Sequence, residues 1–171
     1  HDPGSGRELW RLKCGGSDVA PSPIFAGGLV IATVTSDLIY AIRPDGNGDV
    51  TKTHVEWRSE DGVSDVSSPV SNGELVFFAH SSGTITCLDV KTGKIVWDKS
   101  IEGEFYASPA MSGDIVYQVA RNGEVFIFKA GRKYEQIGKA NLGEPSDCSP
   151  AFVDRRIFMR GMTNLFCIGN K

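Results

Sequence analysis

The sequence has no adjacent cysteines and no Cys-x-x-Cys pair. None of its four cysteines, Cys14, Cys87, Cys148 and Cys167, has a histidine at metal-ligand spacing. These absences remove the zinc-ribbon and dithiol-redox readings. No apolar run approaches the length of a membrane span, and no signal peptide is visible at the N-terminus. Basic residues number 18 against 21 acidic ones, a formal net charge of -3 with no Lys/Arg block. Nothing therefore marks an electrostatic footprint for nucleic acid. A 3.6-residue apolar rhythm is also missing over any useful length, which argues against helical solenoids.

Glycine, by contrast, is plentiful. Its 20 copies in 171 residues exceed the roughly 7% of average proteins, and nearly all stand where the chain must turn. With 40% hydrophobic residues the chain is large enough to bury a core. The Ser-Pro dipeptides expose a period. They fall at Ser22-Pro23, Ser68-Pro69, Ser108-Pro109 and Ser149-Pro150, at intervals of 46, 40 and 41 residues. A period near 40 holding four short strands is the signature of a propeller blade.

The copies align strand by strand. A first strand is predicted around each Ser-Pro: 20–26, 67–71, 107–112 and 148–153. A second, β-branched and apolar, follows at 29–34, 75–79, 115–119 and 156–160. Polar turns Ser81-Ser82-Gly83 and Arg121-Asn122-Gly123 lead into third strands at 38–42, 84–88, 124–128 and 165–168, Asn-Gly being a strong hairpin signal. The fourth strand ends on Trp57 or Trp97, while the third copy has only Ile137 near that place. The fold class predicted is all-β, a β-propeller of four-stranded antiparallel blades. The chain divides into a fourth strand of a preceding or closing blade at 1–14, blades at 15–60, 61–101 and 102–143, and a blade lacking its fourth strand at 144–171. A start within a repeat predicts a fragment: about four blades, the C-terminal half of a seven- or eight-bladed ring, with four blades closing on themselves as the other reading. Such a half ring exposes blade faces and an unpaired edge.

Cys87 and Cys167 share a repeat position with Ala41 and Ile127, which predicts two buried thiols. Cys14 and Cys148 are free to pair or not.

The run Leu88-Asp89-Val90-Lys91-Thr92-Gly93-Lys94-Ile95-Val96-Trp97 resembles the tryptophan-docking repeat of the pyrroloquinoline-quinone (PQQ) type propellers, and Asp2-Pro3-Gly4-Ser5-Gly6-Arg7-Glu8-Leu9-Trp10 follows the same pattern. The resemblance covers essentially the whole chain. It implies a Thr-Gly turn between third and fourth strands and a docking role for Trp10, Trp57 and Trp97 on neighbouring blades. The segment 48–57 and the ending Asn164-Leu165-Phe166-Cys167-Ile168-Gly169 are similar to PQQ-like-repeat proteins of bacteria predicted to be exported, a group of unassigned function. On that likeness Lys171 stands at or near the natural C-terminus. The quinone-dependent dehydrogenases of this repeat class hold their cofactor with a vicinal disulfide, a stacking Trp and a calcium shell beside an Asp base. Here no vicinal cysteines exist and Asp147 has no recognisable partners in the sequence, so no cofactor is expected within this chain.

Two further sets are candidates. Asp45, Asn47, Asp49 and Glu56 fall at positions 1, 3, 5 and 12 of an EF-hand-like loop, but Val50 stands where the sharp turn wants Gly. The other reading is a long turn between third and fourth strands. Ser108, His80 and Asp114 supply the types of a nucleophile–base–acid set with nothing in the sequence to join them, so no catalytic residue is assigned.

The reading that follows is a non-enzymatic scaffold presenting loops and a central funnel to a protein or ligand. In kind it resembles the propeller lipoprotein of the outer-membrane assembly machinery. The alternatives are part of a quinoprotein dehydrogenase, with PQQ and calcium held by a missing half, and an extracellular sensor or substrate-binding module. Expected partners are the remaining blades or a second copy of the chain, and another envelope protein, with no nucleic acid and no membrane insertion. The resemblance implies a periplasmic or secreted location.

Overall fold

The computed structural model describes residues 1–15, 19–35 and 38–169. Asn170 and Lys171, at the predicted C-terminal end, lie outside the described residues. Every regular element among those described is a strand. β1 (Trp10–Arg11) opens the chain. The first four-stranded sheet is β2 (Ile24–Ala26), β3 (Leu29–Thr35), β4 (Leu38–Ile42) and β6 (Val55–Ser59), with β5 (Gly48–Asp49) in the connection between β4 and β6. The second is β7 (Val70–Ser71), β8 (Leu75–Ala79), β9 (Thr84–Asp89) and β10 (Ile95–Ser100). The third is β11 (Ala110–Ser112), β12 (Ile115–Val119), β13 (Glu124–Lys129) and β14 (Gln136–Asn141). The fourth is β15 (Ala151–Val153), β16 (Arg156–Arg160) and β17 (Leu165–Gly169). Each is an antiparallel meander in chain order, so the fold is all-β, with about four propeller blades.

The sheets stack face to face, and the apolar side of each strand makes the contact. Between the first and second sheets Ile31, Ile39 and Ala41 meet Val76, Phe78, Leu88 and Val90. Between the second and third, Phe77, Ile85 and Cys87 meet Phe105, Val116, Phe126 and Phe128. The third packs on the fourth through Val119 and Val125 against Met159, flanked by Tyr117, Ile157 and Phe166.

One register position runs across every sheet. It reads Ile24–Ile31–Ala41–Trp57, then Val70–Phe77–Cys87–Trp97, Ala110–Tyr117–Ile127–Gly138 and Ala151–Phe158–Cys167. Volume is complementary along the row: a small residue, Ala41 or Cys87, lies opposite each tryptophan, and the larger Ile127 lies opposite Gly138. A Cβ on Gly138 would stand 3.3 Å from Ile127 Cδ1, so the isoleucine fills the space the ring takes elsewhere. Gly138, not Ile137, therefore stands in the place of the missing tryptophan.

Other expectations shift. The tryptophans lie inside the fourth strands, which continue to Ser59 and Ser100. The first strands start after the proline, which has no N–H to give to a ladder. The serine N–H before it leaves the blade instead: Ser22 N donates to Ser68 Oγ and Ser68 N to Ser108 Oγ, both at 2.9 Å. The segment 1–14, expected as a fourth strand, forms only β1, and β1 pairs in parallel with β5. Cys87 is fully buried, but Cys167 is exposed, which corrects its expected burial. It occupies the same slot on the outer face of the fourth sheet, where no further sheet covers it among the described residues. Cys14 and Cys148 are free thiols, as are the other two.

Candidate binding face

In an antiparallel meander the turn from second to third strand lies at the same end as the loop entering the next sheet. At that end the loops are stitched to the turns. Ile101 N donates to Gly83 O at 2.8 Å, Arg121 N to Glu104 O at 2.9 Å, Leu142 N to Gly123 O at 2.9 Å and Ser146 N to Arg121 O at 3.1 Å. Gly83 and Gly123 have positive φ, 94° and 86°. The loop backbone passes so close that a Cβ at either would collide with the carbonyls of Ile101 and Gly103, or of Glu144. Both the turn and the close approach demand glycine.

The stitched loops bring together a polar cluster. Arg121 Nε donates to Asp147 Oδ1 at 2.9 Å, its NH1 donates to Glu104 Oε2 at 3.0 Å, and the guanidinium lies 4.1 Å from the centre of the Tyr106 ring. The Asp147 bond, then the Glu104 bond, raise the Arg121 pKa above its ordinary value. Beside it Glu144 accepts from Thr163 Oγ1 and N and from Asn164 N, which hold its carboxyl below the usual range. On the neighbouring blade Asp65 accepts from Ser81 N at 3.0 Å and from Ser81 Oγ. Burial pushes Asp65 up, but the Ser81 bonds outweigh it and leave the pKa lowered. A fixed, partly exposed patch results: an arginine clamped between two carboxylates over Tyr106, with Met162 protruding beside it at 69% exposure.

The residues singled out from sequence fall elsewhere or apart. Trp57 Nε1 donates to Val90 O at 2.8 Å and Trp97 Nε1 to Gly131 O at 2.9 Å, each reaching the next blade. Gly93, at φ 68°, lies against the Trp57 ring with no room for a Cβ. Trp10 is half-buried on β1, opposite Gly48 of β5, and its indole makes no hydrogen bond among the described residues. The loop carboxylates are met by basic side chains. Arg43 NH1 is 3.1 Å from Glu56, His54 Nε2 3.6 Å from Asp45, and Lys13 Nζ 3.0 Å from Asp49. The Thr51 and Lys13 bonds lower the Asp49 pKa. Among the described residues no three His, Cys, Asp or Glu side chains form a metal-sized group, so the structure does not gather Asp45, Asn47, Asp49 and Glu56 into a ligand shell. His80 Nδ1 bonds Ser82 Oγ at 2.8 Å, whereas Asp114 lies in a hairpin at the other end of its sheet. The groups a quinone would need are engaged too: Trp57 and Trp97 are packed between blades, and Asp147 is paired with Arg121. The Arg121 cluster itself escaped the sequence reading. Asn122-Gly123 predicts the turn, but nothing local tells that Glu104 and Asp147 converge on it.

A family model described as outer membrane protein assembly factor BamB matches residues 39–137. An outer membrane protein assembly factor BamB of Burkholderia pseudomallei (strain K96243) is 32% identical over 75 residues, which is 44% of this chain and 19% of its own length. The crystal structure of BamB from Moraxella catarrhalis superposes with a TM-score of 0.67 at 19% identity, covering 83% of this chain and 43% of that one. The computationally designed Ika4 protein superposes with a TM-score of 0.74 at 16% identity over 96% of this chain and 99% of its own. The quinohemoprotein alcohol dehydrogenase ADHIIG from Pseudomonas putida HK5 gives 0.66 at 12% identity over 88% of this chain and 29% of its own. The chain thus spans 19% of the length of the curated relative, and the structural likenesses describe the fold alone.

Proposed function

This chain belongs to the PQQ-like propeller-repeat family described as outer membrane protein assembly factor BamB, and from that premise we propose that it is a non-enzymatic scaffold. It presents the loops at one end of its blades to another protein of the cell envelope, in an extracytoplasmic compartment. The observation that carries the reading is the Arg121 cluster. Aromatic and arginine side chains held rigid at the centre of a patch are the usual anchors of protein interfaces. Arg121, with two carboxylates and the Tyr106 ring around it, loses little side-chain freedom when a partner arrives. No cofactor is part of this reading.

The experiment is capture of envelope proteins on the immobilised chain, compared with the variant Tyr106→Ala/Arg121→Glu. A partner retained by the wild type across several salt concentrations and lost by the variant is expected. Equal capture by both would move the interface elsewhere, and none by either would sink the reading. Reconstitution with PQQ and calcium tests the enzyme alternative directly: reduction of an acceptor dye by alcohols or sugars would overturn the scaffold.

A further inference from the structure

Tyr106 and Arg121 lie in the middle of the chain, with connections of the second and fourth sheets on either side. Across the described connections at that end, residues 60–69, 80–83, 101–109, 120–123, 142–150 and 161–164, there are seven carboxylates and a single arginine or lysine, Arg121. At the opposite end, over 43–54, 72–74, 89–95, 113–114, 130–135 and 154–155, there are seven of each sign. The imbalance therefore belongs to one end of the sheets. Arg121 does little to offset it, because Asp147 at 2.9 Å and Glu104 at 3.0 Å already bracket its guanidinium. Asp65 and Glu144 are fixed as anions by backbone N–H and hydroxyl donors. Glu60, Asp61 and Glu102 are exposed, and their side chains make no hydrogen bond or ion pair among the described residues. Among these anions Tyr106 is 40% exposed, with Arg121 over its ring.

This combination selects its occupant by charge. Anionic headgroups and nucleic acid are repelled. A single metal ion finds no group of three ligands among the described residues, because the carboxylates are spread over several loops. That spread suits cations strung along a chain. A purely apolar partner would bury carboxylates with nothing to pair them. We propose that this face takes a basic segment of a partner protein: lysines or arginines meet the free carboxylates, and an apolar side chain between them rests on Tyr106. The proposal rests on the scaffold reading and names the chemistry of its partner. Glu60, Asp61 and Glu102 act mainly by steering the encounter, an effect that salt screens. Tyr106 supplies the contact that survives screening.

Fluorescence anisotropy on the full chain tests it, with the labelled peptide Lys-Arg-Lys-Leu-Lys-Arg-Lys and a second that has Gly at its centre. The leucine peptide should bind, more weakly as salt rises. Glu60→Gln/Asp61→Asn/Glu102→Gln should weaken it by roughly tenfold, the scale of three exposed ion pairs. Glu74→Gln/Asp114→Asn/Asp154→Asn makes the same change of charge on hairpins at the opposite end, and should alter binding by less than about twofold. Tyr106→Ala should weaken the leucine peptide and leave the glycine peptide as it was. Equal losses from the two triple variants would mean attraction by net charge alone and overturn the proposal. So would equal binding of a peptide with glutamates in place of the basic residues, or a Tyr106→Ala effect alike on both peptides. An envelope protein captured equally by the wild type and by Glu60→Gln/Asp61→Asn/Glu102→Gln at every salt concentration would overturn it and leave the scaffold reading standing. Peptide binding with the expected dependence but no captured envelope protein would uphold the preference of the face and sink the scaffold reading.

Discussion

Trp97 joins two sheets at a single side chain. Its ring meets Phe77 at 5.9 Å, Phe128 at 6.0 Å and Tyr134 at 5.4 Å between centroids, and its N–H is satisfied by Gly131 O. Packing and polar satisfaction therefore reside in one residue. Trp97→Ala should lose about 3 kcal/mol in urea unfolding, the lower end for truncating a buried aromatic because the ring is only half-buried. Trp97→Phe keeps most of the packing and should lose about 1 kcal/mol, the net worth of the hydrogen bond. A loss below about 1 kcal/mol for the alanine variant would mean that the ring does not bind the two blades. The two repeated slots on the tryptophan row had different fates in the sequence. Trp57 and Trp97 were readable because each copy carries its own turn residues around them. Cys167 was misread because residue type tells which face a slot is on, not whether another sheet covers it. Its twin Cys87, by contrast, is enclosed, and burial pushes its thiol up to about 12.

At the level of the element, the second-to-third-strand turns both reverse the chain and carry the binding face. Gly113 and Gly123 separate the two costs of a side chain at positive φ. Both are left-handed, at 60° and 86°, but a Cβ at Gly113 meets open space while one at Gly123 strikes the Glu144 carbonyl. Gly113→Ala should cost about 1 kcal/mol from backbone conformation alone. Gly123→Ala should cost more, because the loop carrying Glu144 and Asp147 must move, and partner capture should fall with it. Equal losses in thermal unfolding would show that the loop yields freely. Strand and turn positions were legible from alternation and Asn-Gly, since both are local. The Arg121 cluster was not: Glu104, Tyr106, Arg121 and Asp147 come from three separate connections at one end of the sheets and meet only once the sheets stack. The segment 1–14 marks the same limit. Its pattern predicts a fourth strand, yet the pairing of β1 is settled by which edge lies beside it.

For the whole molecule, stacked sheets that touch only their neighbours should not be equally stable along the chain. The second sheet is covered on both faces, and every residue of β8 is buried. The fourth is covered on one face, and only Gly161 and Met159 are buried within 156–169. Its contact with the third sheet has Tyr117 and Phe152 at 5.2 Å where the other junctions have a tryptophan bonded to a carbonyl. Local opening free energy follows buried apolar contact, so amide hydrogen exchange should be slowest in β8, β9 and β13 and fastest in β16 and β17. Protection in β17 equal to that in β9 would mean that the four sheets open as one unit and that the fourth is not the weak end of the stack.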